Sequence, residues 1–237
     1  MPSSSLTSYL ISKTSSPAYI AAANHPFLKQ AGEGTLREST LAHWLYQDRI
    51  YAAHAYPRFI GLLVAKIPFQ AKDLASFRSA ITPEESVNRQ ILECLAFSLL
   101  NASVEVKFFE TTAASIDVQT SQEMQSEREA TKNYCTEMAR VASLGTLEEG
   151  LVFLWAMERV YLDSWTFASQ QAKQRDRSSA LEAFIGNWTS MEFQKFVNDL
   201  EKLVDLMGIE QGTDGWRRAE AVWNRVIELE EAFWPNV

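Results

Sequence analysis

Residues 146–165 read TLEEGLVFLWAMERVYLDSW, and the way this stretch is capped and filled decides the fold. Thr146 and Glu149 have the spacing of a capping box, in which a hydroxyl accepts from the backbone three residues on and an acid reaches back, so a helix starts here. Leu151, Leu154, Trp155, Tyr161 and Trp165 then recur at the three- and four-residue steps that keep side chains on one helical face. Glu158 stands in the middle of that face. The pattern occurs twice more: Asp48 lies between Leu41, Trp44, Leu45 and Tyr51, Ala52, and Glu230 between Trp223, Val226, Ile227 and Phe233, Trp234. Each acid has an aromatic residue three positions on. Burying a carboxylate among such neighbours is costly unless something pairs with it.

One acid on an apolar stripe reads most simply as a salt bridge to an arginine of a neighbouring helix, or as a solvent-facing edge. Three repeats favour a shared pocket, lined with aromatic rings, for a flat ligand that is partly cationic or forms hydrogen bonds. On the last helix Glu230 holds the centre of the stripe while Glu228 and Glu231 sit off it or at its edge, so general acidity of the segment is not the explanation. Glu105, followed by Phe108 and Phe109 but preceded by Asn101 and Ala102, is a fourth candidate with a weaker pattern.

The helical signals run along the whole chain. Further capping boxes are spelled by Thr35…Glu38, Thr82…Glu85, Ser179…Glu182 and Thr189…Glu192, and Pro83 follows Thr82 at the favoured first helical position. Reading from cap to cap predicts helices at 4–23, 36–66, 84–111, 121–143, 147–175, 180–186, 190–207 and 213–234. Pro57 should kink the second, and Gly32, Gly34, Gly145, Gly208 and Gly212 fall in the breaks. No stretch alternates polar and apolar residues as a strand would. The expected fold is all-α, a single-domain multi-helical bundle over residues 1–237 with residues 1–5 disordered.

Composition narrows the function. A chain that is 46% hydrophobic and 22% charged can build a sizeable core and is not disordered. The net charge is 22 − 30 = −8 and no basic run exceeds Arg217–Arg218, which argues against a nucleic-acid partner. Cys94 and Cys135, the only cysteines, make neither a disulfide framework nor a zinc site, and they suit a reducing, cytoplasmic setting. No apolar run approaches the ~20 residues of a membrane span, and Met1-Pro2-Ser3-Ser4-Ser5 does not open a signal peptide, so no membrane partner is expected. Motifs for phosphate, dinucleotide, zinc or serine chemistry are absent, and neither a metal nor a cofactor is expected. His25, just before Pro26, reads as a turn residue; His43 and His54 lie off the stripe of Asp48.

Five segments carry a family resemblance: HPF at 25–27, WLYQDRIY at 44–51, FLWAMERVY at 153–161, NWTSMEF at 187–193 and LEEAFW at 229–234. In order and spacing they resemble the TenA (thiaminase II) family, over about residues 19 to 234. The resemblance implies a haem-oxygenase-like helical fold and a small-molecule hydrolase of aminopyrimidines in thiamin salvage, acting as a homodimer or homotetramer. The typical substrate is 4-amino-5-aminomethyl-2-methylpyrimidine or its N-formyl form, converted to the hydroxymethyl pyrimidine; some members also cleave thiamin. By position, Asp48 matches the acid that holds the pyrimidine edge, and Glu230 the acid that contacts the ring and moves protons. Tyr51, Tyr134, Tyr161 and Trp188 fall at aromatic substrate-binding positions.

One position departs from the pattern. Most of the family carries a catalytic cysteine where this chain has Met157, and Glu158 follows it, as in the subgroup that lacks the cysteine and includes plant members. The expected catalytic groups are therefore Glu230, Glu158 and Asp48. Cys135, beside Tyr134 on another helix, does not replace the nucleophile, although its place leaves open whether it lines the pocket. Two other readings stay open: a non-catalytic pyrimidine-binding protein, and a haem-oxygenase-like protein, for which His25 is poorly placed.

Overall fold

One helix organises the chain because it is apolar on every side. In α8 (Leu147–Gln170) every residue from Gly150 to Met157 is buried, as in a helix surrounded by others rather than lying on a surface. Its neighbours are α2 (Pro17–Ala23), α3 (Pro26–Glu33), α5 (Tyr56–Ala65), α7 (Glu129–Leu144), α9 (Ser179–Trp188), α10 (Met191–Leu206) and α11 (Asp214–Phe233). The computed structural model describes residues 4–69, 81–113 and 126–237. The remaining elements are α1 (Leu6–Ile11), α4 (Glu38–Ile50) and α6 (Pro83–Ala113), with a π-helical turn at Tyr51–Ala55 joining α4 to α5. Among the described residues all regular structure is helical, as the sequence predicts.

The expected capping box at Thr146 and Glu149 forms, with both reciprocal bonds present. Other starts slip. Ser178 rather than Ser179 caps α9, and Ser190 rather than Thr189 caps α10, because serines one place away offer the same hydroxyl. At Thr35…Glu38 no box forms: Thr35 donates to the Gln30 carbonyl, and Arg37 opens α4 without a side-chain bond. The predicted helix 4–23 is two helices, since Ser16 caps a second start with Pro17 at its first position. Ser5 caps α1 and is ordered; residues 1–3 lie outside the described residues. So do residues 121–125 of the predicted helix 121–143; residues 126–128 are described and not helical, so this helix starts later than predicted, at Glu129 with Arg128 as its cap. Helix α3 has no counterpart in the prediction. Its cap is His25, whose Nδ1 accepts from Phe27 N at 3.2 Å, a capping residue outside the usual short polar set.

Pro57 produces the expected disturbance in a specific form. It has no N–H and its ring crowds the carbonyl four residues back, so the backbone widens, and Tyr56 N bonds Tyr51 O across five residues. The extra residue changes which side chains align. In an unbroken α-helix Tyr56 would point about 80° from Asp48; absorbing one residue brings it within about 20°. Asp48, Tyr51 and Tyr56 thereby share a face.

Beneath that face lies a dense aromatic core. The Trp44 ring has its centroid 5.7 Å from Phe27, 5.5 Å from Trp165, 5.4 Å from Phe184 and 5.9 Å from Trp188. Such edge-on and tilted pairs add to the area they bury. Backbones also approach closely. Gly32, expected at a helix end, lies inside α3, where a Cβ would sit 2.1 Å from the Ala168 carbonyl oxygen of α8. Gly32→Ala should therefore destabilise by about 2 kcal/mol, lowering the melting temperature by about 4–8 °C. Exposed Gly186, with nothing within 4 Å of a new Cβ, should gain about 0.5–1 kcal/mol on replacement by alanine. Thermal melts of the two variants check both directions.

Candidate active site

Four helices each carry one acid to a single cavity: Asp48 from α4, Glu105 from α6, Glu158 from α8 and Glu230 from α11. Its walls include Tyr51, Tyr134, Tyr161 and Trp188, the aromatic residues singled out from the sequence. Tyr56, Phe109, Phe233, Met157 and Ala52 complete it. The cavity measures about 40 Å³, well below the several hundred cubic ångströms of a drug-sized site.

Every acid is held by an aromatic donor from another segment. Tyr161 Oη donates to Asp48 Oδ2 at 3.2 Å, Trp188 Nε1 to Glu105 Oε1 at 2.8 Å, Tyr56 Oη to Glu158 Oε1 at 2.8 Å and Tyr134 Oη to Glu230 Oε1 at 2.5 Å. No Lys, Arg or His lines the cavity among the described residues, and none of the four acids enters an ion pair there. Burial without a cation favours the neutral acid. It pushes Glu105 up to about 7 and Glu158 and Glu230 to about 8. Asp48 is also raised well above the ordinary carboxylate range, by burial first and by the charge of Glu105 next. Glu105 and Glu158 keep part of their surface open, while Asp48 and Glu230 are almost wholly covered.

A buried clamp sets α7 against α4 and α11. Gln47 Nε2 donates to the Ser126 carbonyl at 2.9 Å, and its Oε1 accepts from Arg128 N at 2.9 Å and Thr131 Oγ1 at 2.6 Å. Arg128 Nη1 in turn donates to the Phe233 carbonyl at 2.9 Å. This ties the start of α7 to the end of α11, so that Tyr134 reaches Glu230.

The structure brings together every site residue named from the sequence, and Glu105 joins them. Cys135 does not line the cavity, and burial pushes its thiol up to about 11. None of the three histidines lines it either; His25 uses Nδ1 as a helix cap. Phe233 was reachable from sequence, being the aromatic three places after Glu230. Tyr56 was not, because its direction depends on the π-turn. Tyr51 Oη lies 3.1 Å from Met157 Sδ and donates to it.

The raised acids make folding stability pH-dependent. The folded state holds protons on Glu158 and Glu230 up to about pH 8, whereas the unfolded chain releases them near its ordinary value of 4.5. Their contribution is full below that lower value and is lost as pH rises towards 8. Melting temperature should thus fall between pH 5 and 8.5, and Glu230→Gln should flatten the slope; thermal melts across this range test it.

Against known proteins, residues 14–237 match the TENA/THI-4/PQQC family. A Fusarium pseudograminearum protein described as a probable transcription factor is 27% identical over 252 residues, 91% of this chain and 48% of that protein, so the chain spans about half of its length. A Glycine max protein described as a probable bifunctional TENA-E protein is 22% identical over 217 residues, covering 91% of this chain and 86% of that one. The X-ray structure of a TenA homologue from Pyrococcus furiosus superposes with a TM-score of 0.77 at 25% identity, over 97% of this chain and 98% of the other.

Proposed function

The chain belongs to the TENA/THI-4/PQQC family, and from that premise we propose that it hydrolyses a thiamin-derived aminopyrimidine, 4-amino-5-aminomethyl-2-methylpyrimidine or its N-formyl form, to the hydroxymethyl pyrimidine. The observation that carries the reading is the meeting of four carboxyls with aromatic walls and no basic side chain among the described residues. An aminopyrimidine presents an exocyclic amine, ring nitrogens and a flat π-face. Carboxyls serve the first two and Tyr51, Tyr134, Tyr161 and Trp188 the third. The small cavity has no room for a macrocycle such as haem.

With the free amine, water delivers its oxygen to the exocyclic CH2, the C–N bond breaks, and the nitrogen leaves as ammonia after accepting a proton; the N-formyl form reaches the same step once a first water has cleaved its amide and released formate. Asp48 anchors the pyrimidine edge. Glu230, kept protonated near neutral pH by burial, supplies a proton to the ring or the departing amine. Glu158 activates water when ionised and assists the leaving group when protonated. The charge of Glu230 is one of the causes that raise Glu158, which links the two titrations. Met157 bears no ionisable thiol, so the route proceeds without a sulfur adduct.

The matching Fusarium protein is described as a probable transcription factor. This chain, with net charge −8 and no extended basic run, lacks the cation clusters of a phosphate-backbone binder. Met157 specifically favours a second reading, a non-catalytic pyrimidine-binding protein. The proposal extends to a single-domain, cytoplasmic protein that works as a homodimer or homotetramer. Exposed Leu99, Leu100 and Val104 along α6 supply apolar surface for such assembly.

A panel of amino-, formylamino- and thiamin substrates, assayed for ammonia and pyrimidine product, tests the function. Glu230→Gln should lower kcat by about 10²-fold or more, and wild-type kcat should fall as pH rises through about 8, where the acid is lost. Intact turnover in both Glu230→Gln and Glu158→Gln would overturn the scheme. Tight binding of the hydroxymethyl pyrimidine with no turnover of any substrate would establish the binding protein instead.

A further inference from the structure

Glu105 has no task in the chemistry above, yet it shares the cavity with Asp48 of α4, Tyr56 of α5, and Glu158 and Tyr161 of α8. Its Oε1 is fixed by the Trp188 indole at 2.8 Å, and among the described residues its Oε2 has no hydrogen-bond partner. The second oxygens of Asp48, Glu158 and Glu230 are likewise without protein hydrogen bonds there. Four unpartnered carboxyl oxygens, one from each acid, thus belong to a cavity that also borders the rings of Phe109 and Trp188.

We infer that this cavity includes a subsite for the ammonium group of a primary amine, and that Glu105 selects the charged amine over its neutral alcohol or amide counterpart. An ammonium has three N–H donors and no acceptor, which suits a lining whose open polar atoms are carboxyl oxygens. The aromatic faces add cation–π attraction. A neutral ligand leaves the acids repelling one another or holding their protons, whereas a cation turns the same groups into partners. Burial places Glu105 at about 7, below Glu158 and Glu230 at about 8, so its proton is the more readily released of these on binding near neutral pH. The inference deepens the proposed function and rests on it for the ring, though not for the amine. It ranks the free amine above the N-formyl form as the preferred ligand. It also explains product release, since hydrolysis replaces the ammonium with an uncharged hydroxyl that the subsite does not hold.

Calorimetric titration of the full chain with two matched pairs tests this: the aminomethyl and hydroxymethyl pyrimidines, and benzylamine and benzyl alcohol. In each pair the wild type should favour the amine by about tenfold or more, and Glu105→Gln should erase that preference. Its melting temperature reports folding. If Glu105→Gln fails to fold, Glu105→Asp, whose carboxylate is drawn back by one methylene, should lose the preference several-fold. Equal binding of amine and alcohol by the wild type, or an undiminished preference in a folded Glu105 variant, overturns the inference. If only the benzyl pair binds and its amine preference depends on Glu105, the pyrimidine reading fails and the subsite stands. If the pyrimidine is hydrolysed while amine preference ignores Glu105, the subsite fails and the pyrimidine reading stands.

Discussion

Four carboxyl groups occupy one cavity with no cation among the described residues to neutralise them, and the rest of the architecture accommodates that constraint. Removing an acid from water is tolerable when it stays protonated and when its oxygens find donors. Tyr161, Trp188, Tyr56 and Tyr134 supply those donors, each from a different element than the acid it serves. The pairings stitch α4 to α8, α6 to α9, α5 to α8 and α7 to α11. The electrostatic cost and the helix packing are therefore one problem with one solution: moving any of these helices breaks a bond that a buried acid needs.

The supports behind those donors are mostly aromatic. Trp188, which holds Glu105, lies 5.0 Å from Trp165 and 5.3 Å from Phe184, stacked on both. Tyr161, which holds Asp48, stacks on Trp234 at 5.7 Å. Rings of this size have few rotamers to lose and fix direction well. Where rings do not reach, the Gln47 and Arg128 clamp performs the same service by hydrogen bonds. Rigid placement suits general acid–base work, in which a proton must pass over a distance set to within tenths of an ångström.

In the proposed reaction, the methionine at position 157 shifts emphasis from covalent to proton chemistry. Tyr51 donates to the Met157 thioether, so a hydroxyl still addresses sulfur in this corner, but that sulfur offers no ionisable nucleophile. The neighbouring Glu158, raised to about 8 by burial, is a group that changes charge a little above neutral pH. Glu230 lies in the same range, and two acids titrating together can divide donor and acceptor roles according to what the ligand presents.

The sequence by itself determined that the chain is helical and which acids point inward, because both follow from a period of ~3.6 residues and from capping chemistry local to a few positions. Asp48, Glu158 and Glu230 were legible for that reason, as were the aromatic residues three places after them. Glu105 was fainter, since only one side of it is flanked by large apolar residues. Helix α3 was hidden behind a histidine cap, and the caps at Ser178 and Ser190 were blurred by neighbouring hydroxyls. What only the tertiary structure decided is which donor holds which acid. Those bonds join residues 83 to 113 positions apart, a separation at which periodicity carries no information. It also decided the place of Tyr56, whose direction depends on how a crowded carbonyl before Pro57 was relieved, by a π-turn against packed neighbours rather than by a break.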